Sequence, residues 1–158
     1  MRHIALILLA LTLAPCLAHA WPARVVQVTD GDTIIAEPAE GGNRVRVRLY
    51  GIDAPELRQP YGGAAKDFVV AMVLFQAVDV REVSQGRDRY GRVVAIVVAG
   101  GKSVQEELLR EGLAWVWTRY CRSCDEWEAL QADARRAGRG LWAAPVPAPP
   151  WEWRKRRN

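Results

Sequence analysis

The sequence predicts an α+β fold: a small barrel of five short strands with three α-helices. Three observations carry that expectation. Residues 21–158, which remain once an export signal is set aside, suffice for one hydrophobic core and not for two. Five segments rich in β-branched residues are separated by Gly, Pro and Asp turns. Three further segments carry helical stripes or caps, and they fall between and after the strands rather than in strict alternation with them.

The strands come first. Residues 24–29 and 33–37 are β-branched-rich runs joined at Asp30-Gly31-Asp32, a strand–turn–strand. Gly41-Gly42 marks the next turn. Arg44-Val45-Arg46-Val47-Arg48-Leu49 then alternates strictly, placing three arginines on one face and Val45, Val47 and Leu49 on the other. Residues 51–62, with Pro55 and Pro60, form a loop. In residues 64–75, Ala65, Phe68, Val69, Met72 and Val73 recur at spacings of three and four, a helical stripe. Residues 77–83 and 92–99 are the remaining strands, linked by a polar turn over 84–91. Ser103-Val104-Gln105-Glu106 is a capping box that opens a second helix, and Gly112 closes it. Residues 125–137 form the third helix, ended by Gly138. Residues 21–144 thus form the folded domain, and residues 145–158 are a proline-rich, basic tail whose residues 145–150 are extended rather than folded. A five-stranded barrel with these helices suits an OB-type architecture, a known platform for oligonucleotides.

Residues 1–20 read as a signal peptide. Met1-Arg2-His3 is a basic start, residues 4–14 are an apolar run shorter than the roughly 20 residues that span a bilayer, and Ala18-His19-Ala20 is an A-x-A cleavage site. Cys16 would leave with the signal. The expected product is periplasmic or secreted, free of the membrane after cleavage, and a monomer with no obligate protein partner. The whole chain has 22 basic and 18 acidic residues. The excess is modest but uneven: Arg44, Arg46 and Arg48 share a strand, and Arg154-Lys155-Arg156-Arg157 closes the chain. Such a bias fits a polyanionic partner.

Both histidines, His3 and His19, lie in the signal segment. Their loss removes Ser-His-Asp and Cys-His catalysis and imidazole-based zinc sites. Hydrolytic chemistry must then rest on carboxylates, arginines and a hard cation, and three short segments supply them. These are Asp30-Gly31-Asp32-Thr33, the run from Arg48 through Asp53-Ala54-Pro55-Glu56, and Arg89-Tyr90-Gly91-Arg92. Each alone reads as an ordinary turn bearing solvated charges. Together they would set Asp32, Asp53 and Glu56 against Arg48 and Arg92. Like charges about 4 Å apart repel by roughly 1–4 kcal/mol, a cost that a divalent cation removes. All-oxygen ligands favour Ca²⁺ ahead of Mg²⁺.

In order and residue type these motifs resemble the micrococcal (staphylococcal) nuclease, or thermonuclease, family, over roughly residues 25–142. The resemblance implies an OB barrel with three helices and Ca²⁺-dependent hydrolysis of DNA and RNA, leaving 5′-hydroxyl and 3′-phosphate ends. It implies that Asp32 and Asp53 ligate Ca²⁺ with the backbone carbonyl of Ala54, and that Arg48 and Arg92 are catalytic. Glu56 would orient or deprotonate the attacking water, and Arg89 and Tyr90 would contact a bound nucleotide's phosphate. Ala54 stands where the founding member has threonine, the 57–62 loop and the turn before Tyr90 are shorter, and a base-stacking tyrosine has no clear counterpart around Trp117-Thr118-Arg119-Tyr120.

Outside the cytoplasm Cys121 and Cys124 would pair as a structural disulfide. Trp115, Trp117, Trp127 and Trp142 read as core residues. The Trp151–Arg157 segment, with its aromatics and positive charge, reads equally as a strand-tracking element or a solvated tail. The rival to a nuclease is a non-catalytic nucleic-acid-binding OB module.

Overall fold

Five strands close into a barrel. In the computed structural model, which describes residues 20–121 and 124–156, β1 (Ala20–Asp30) pairs antiparallel with β2 (Thr33–Pro38), and β2 with β3 (Val45–Leu49). After the two-residue β4 (Ile52–Asp53) and the helix α1 (Gly62–Val73), β5 (Ala77–Arg87) pairs with the other edge of β1. β6 (Val93–Ala99) pairs with β5 and returns to β3 in parallel, with Val47 opposite Val93, which completes the closure. The expected signal segment, apart from Ala20, lies outside the described residues, as does Arg157.

Period-two patterning explains the interior. Along β6, Val93, Ala95, Val97 and Ala99 are buried while the residues between them are half-buried. Val25, Ile34, Val47, Leu49 and Val80 fill the same space. α1 caps one end of the barrel with Ala65, Val69 and Val73, three residues of the expected stripe. β7 (Lys102–Ser103) and α2 (Val104–Arg110) follow, with the Ser103 hydroxyl accepting the N–H of Glu106 as the capping box requires. The α2 side chain Gln105 is fully buried. Its amide donates to the carbonyl of Ala95 at 2.9 Å and accepts from the N–H of Val97 at 3.2 Å, so it costs no unpaired polar group.

The remaining elements are β8 (Trp115–Val116), α3 (Asp125–Arg136), a 3₁₀ turn (Gly140–Ala143) and α4 (Pro150–Lys155). β8 pairs with β4, and this two-stranded ladder sets Asp53 opposite Trp115. Ala134, Leu141 and Trp142 form a second small core against Trp115. Cys121 and Cys124 are bonded to each other, their Cα atoms 5.9 Å apart, beside the start of α3. Among the described residues no helix is long and apolar enough to cross a membrane.

Two expectations need correction. The described residues hold four α-helices where three were expected, because the chain after Pro149 is not a solvated tail. Pro150 stands in the first turn of α4, where its missing N–H costs nothing, and it is buried. The linker before α4 is anchored where Gln59 donates to the carbonyl of Ala148 at 2.6 Å. The polar stretch before Gly91 is likewise mostly strand: β5 runs on to Arg87, and the turn is confined to the residues after it.

Candidate active site

Local close packing brings the acidic segments together. Gly31 sits where an added Cβ would lie 2.7 Å from the Ala54 side chain and 2.8 Å from that of Ala65. Absence of a side chain there lets the Asp30-Gly31-Asp32 turn wedge between the 53–56 loop and α1. Gly62 does the same for Glu56: an added Cβ would fall 1.9 Å from the Glu56 carbonyl oxygen. That loop is tightened by hydrogen bonds from Gln59 N to Glu56 O and from Gly62 N to Gln59 O. The turn glycines are therefore needed for close approach, beyond their usual role in hairpins.

The result is a cleft of about 490 Å³. Every motif residue expected to hold the metal, act in catalysis or contact phosphate lines it: Asp32, Arg48, Asp53, Ala54, Glu56, Arg89, Tyr90 and Arg92. Arg48 forms its floor. Although it alternates onto the outer face of β3, it is only 8% exposed, because the acids close over it. One of its terminal nitrogens lies 3.1 Å from Asp32 Oδ2 and 3.2 Å from Asp53 Oδ1, and the other donates to the Leu49 carbonyl at 2.6 Å. Asp32 Oδ2 also accepts the N–H of Ala54 at 2.8 Å, tying the two acidic segments directly. Asp53 is 1% exposed. Burial, and then the charge of Asp32, push its carboxyl above the usual value, while Arg154 and Arg48 pull it back. Asp30, which accepts the N–H of Asp32 at 3.0 Å, is pushed up to about 6, first by burial and then by Asp32.

The opposite wall is built locally. Asp88 Oδ1 accepts the N–H groups of Tyr90 and Arg92, each at 2.9 Å, an Asx-type turn. Asp88 Oδ2 takes the Arg92 guanidinium through Nε at 2.9 Å and a terminal nitrogen at 2.8 Å. Burial alone would raise the Asp88 pKa, but these hydrogen bonds outweigh it and hold the carboxyl below the usual aspartate range. Arg89 and Arg92 both lie over the Tyr90 ring, 4.7 and 5.1 Å from its centroid. Arg92 therefore reaches the cleft, but its guanidinium is held by Asp88 rather than by the acid cluster.

Three contributors escaped the sequence reading. Asp88 carried a visible signal, an aspartate opening a turn that ends in Gly91. Trp117, expected in the core, is half-buried and lines the cleft with Tyr120, the two rings 4.5 Å apart edge to face. A neighbouring pocket of about 340 Å³, floored by Leu49, Gly51 and Ile52, opens between Tyr90, Trp117 and Tyr120. The third is Arg154 of α4. It donates to Asp53 Oδ2 at 2.8 Å and to Glu56 Oε1 at 2.7 Å, from 101 and 98 residues away, a distance no local motif reveals. Desolvation lowers its pKa, yet the hydrogen bonds with these acids raise it above the ordinary arginine value.

The donor set of the acidic wall is oxygen alone. Among the described residues no three His, Cys, Asp or Glu side chains form a cage that could hold a metal by themselves. Asp32 and Asp53 nonetheless flank one guanidinium nitrogen of Arg48, so positive charge is already accommodated between them. A hard cation that keeps water and substrate oxygens in its shell fits such a site, and a metal needing nitrogen or sulfur ligands does not.

Comparison with known proteins agrees with the geometry. The family described as staphylococcal nuclease homologue matches residues 46–144. A protein of Escherichia coli named "uncharacterized endonuclease" is 40% identical over 146 residues, covering 87% of this chain and 92% of its own. A Haemophilus influenzae protein of the same name is 33% identical over 153 residues, covering 97% and 84%. The "staphylococcal-like nuclease CAN1" of Arabidopsis thaliana is 41% identical over 117 residues, which cover 73% of this chain but 35% of the plant protein. A closed five-stranded barrel, a cleft of paired acids and arginines, and these relatives place the chain in one class: it belongs to the staphylococcal nuclease family and is a phosphodiester hydrolase of the endonuclease type.

Proposed function

We propose that this protein is an exported, Ca²⁺-dependent endonuclease that hydrolyses both DNA and RNA and leaves 3′-phosphate ends. One observation supports the reading above the rest: Asp32, Arg48, Asp53, Glu56 and Arg92, spread over three segments, line a single cleft. Asp32 and Asp53, with the Ala54 carbonyl, are the residues that would hold Ca²⁺. When bound there, the ion supplies Lewis-acid charge to a phosphate oxygen.

The chain's own groups do the rest. Arg48 and Arg92 present N–H donors from the floor and the far wall, and their hydrogen bonds to the phosphate oxygens strengthen as charge accumulates in the transition state. Glu56, whose side chain is 43% exposed at the rim, orients a water and takes its proton as the oxygen attacks phosphorus. The bond from phosphorus to the 5′ oxygen breaks, that oxygen leaves as a hydroxyl by taking a proton from solvent, and the phosphate stays on the 3′ side. Arg89 and Tyr90 grip a flanking phosphate. The apolar-floored pocket walled by Tyr90, Trp117 and Tyr120 offers π-faces that accept any base, in keeping with low sequence selectivity.

Digestion of plasmid DNA and of RNA with Ca²⁺, with Mg²⁺ and with chelator, followed by end-group analysis, tests the proposal. The expected result is cleavage of both polymers in Ca²⁺ with 3′-phosphate products. A protein that binds both polymers and cleaves neither under any of the three conditions would be a nucleic-acid-binding module instead.

A further inference from the structure

The C-terminal helix occupies the acid cluster with a cation of its own. Arg154 reaches Asp53 through two nitrogens, at 2.8 Å to Oδ2 and 3.3 Å to Oδ1, and Glu56 at 2.7 Å. Arg48 adds a donor to Asp53 Oδ1 at 3.2 Å. Both oxygens of a carboxylate that is 1% exposed are thus taken by guanidinium groups. Tryptophan rings seat the helix as well. Trp151 stacks on Trp117 at 6.4 Å with planes 8° apart and meets Trp115 edge-on at 5.8 Å, and the Arg154 guanidinium lies 5.7 Å over the Trp117 ring.

A metal ion at Asp53 needs the oxygen lone pairs to which Arg154 now donates its N–H groups, and it would meet a second positive charge a few ångströms away. Arg48 is locked in the barrel floor and is buried. Arg154 is not: its side chain is 39% exposed, and it sits on a six-residue helix at the end of the described chain. Of the two guanidinium groups on Asp53, Arg154 is the one that can leave without opening the barrel.

We propose that α4 is an autoinhibitory latch, in which Arg154 is a tethered counter-ion that competes with Ca²⁺ for Asp53 and holds Glu56 until the metal displaces it. This rests on the reading of Asp32 and Asp53 as the metal site. Two ligands that exclude each other from one group are reciprocally coupled: docking of α4 weakens the metal, and the metal loosens α4 by the same factor. The metal-free enzyme then keeps its acids neutralised and its general base engaged.

Calorimetric titration of Ca²⁺ into the unsubstituted protein and into Arg154→Gln measures the first half. The variant should bind Ca²⁺ more tightly, by about 5-fold to 150-fold. Amide hydrogen exchange of residues 152–156 measures the second half in the unsubstituted chain, where saturating Ca²⁺ should speed exchange. If both proteins bind Ca²⁺ with equal affinity, or the variant binds more weakly, the latch is wrong and the metal site stands. Exchange that is unchanged or slower in Ca²⁺ overturns the latch in the same way. If neither protein binds Ca²⁺, the metal site itself falls, and the latch with it.

Discussion

The two walls of the cleft are built on opposite principles. The acidic wall is assembled from distant parts of the chain: Asp32 from the β1–β2 turn, Arg48 from β3, Asp53 from β4 and Arg154 from α4. Asp32, Arg48 and Asp53 are buried and interlocked, with one Arg48 nitrogen serving two carboxylates. The arginine wall is a five-residue unit, Asp88 to Arg92, held by short-range hydrogen bonds, with Arg87 adding one to the Gly91 carbonyl; Arg89 and Tyr90 are exposed, and Asp88 and Arg92 are half-buried. Electrostatics on the first wall are therefore part of the fold, whereas those on the second can change without disturbing the barrel. Stability and catalysis should separate along that line.

Arg48→Ala tests the interlocked wall most severely. It leaves Asp32 and Asp53 buried without their shared cation, and a broken buried pair typically costs about 3–5 kcal/mol. Urea denaturation in chelator should show a loss of that size, together with loss of cleavage. Arg92→Ala should do the reverse. Turnover should fall by about 10²–10³-fold, the usual effect of removing one transition-state donor. Stability should move by no more than about 1 kcal/mol, as for a half-buried ion pair whose contacts are local. A large stability loss in Arg92→Ala would show that the second wall is not self-contained.

The smallest effect belongs to Asp88→Asn, which keeps an oxygen to accept the Tyr90 and Arg92 N–H groups but loses the charge. Water screens this pair, so the stability loss should stay under about 1 kcal/mol. Its pH dependence has a definite sign. Because the folded-state pKa of Asp88 is lowered, its stabilising effect is present above the unfolded pKa and fades as pH falls through the folded one. The difference between wild type and variant should hold steady at neutral pH and vanish only below about pH 4, the usual aspartate range. Denaturation curves across that interval measure it.

The same contrast explains what the sequence could and could not reveal. Local periodicity made the barrel strands and the α1 stripe of Ala65, Val69 and Val73 legible, and Ser103 announced the start of α2. Motif residues on tight turns marked the cleft. β4 and β8 were invisible because two residues carry no period, yet their pairing is what holds Asp53 in place. The burial of Arg48 contradicts its alternation, since only the folded arrangement shows the acids closing over it. Arg154 was the hardest to foresee. A basic, proline-rich tail reads as solvated from composition, and nothing within it records an acid cluster about a hundred residues earlier.

Glu56 is the group proposed to handle the proton when this cleft hydrolyses a phosphodiester. Single-turnover cleavage of DNA by wild type and Glu56→Gln in saturating Ca²⁺, with DNA binding measured alongside, tests it most directly. The variant should bind DNA as before and cleave about 10²–10⁴-fold more slowly. Equal rates for the two proteins, or wild type that binds DNA and leaves it intact, would contradict it.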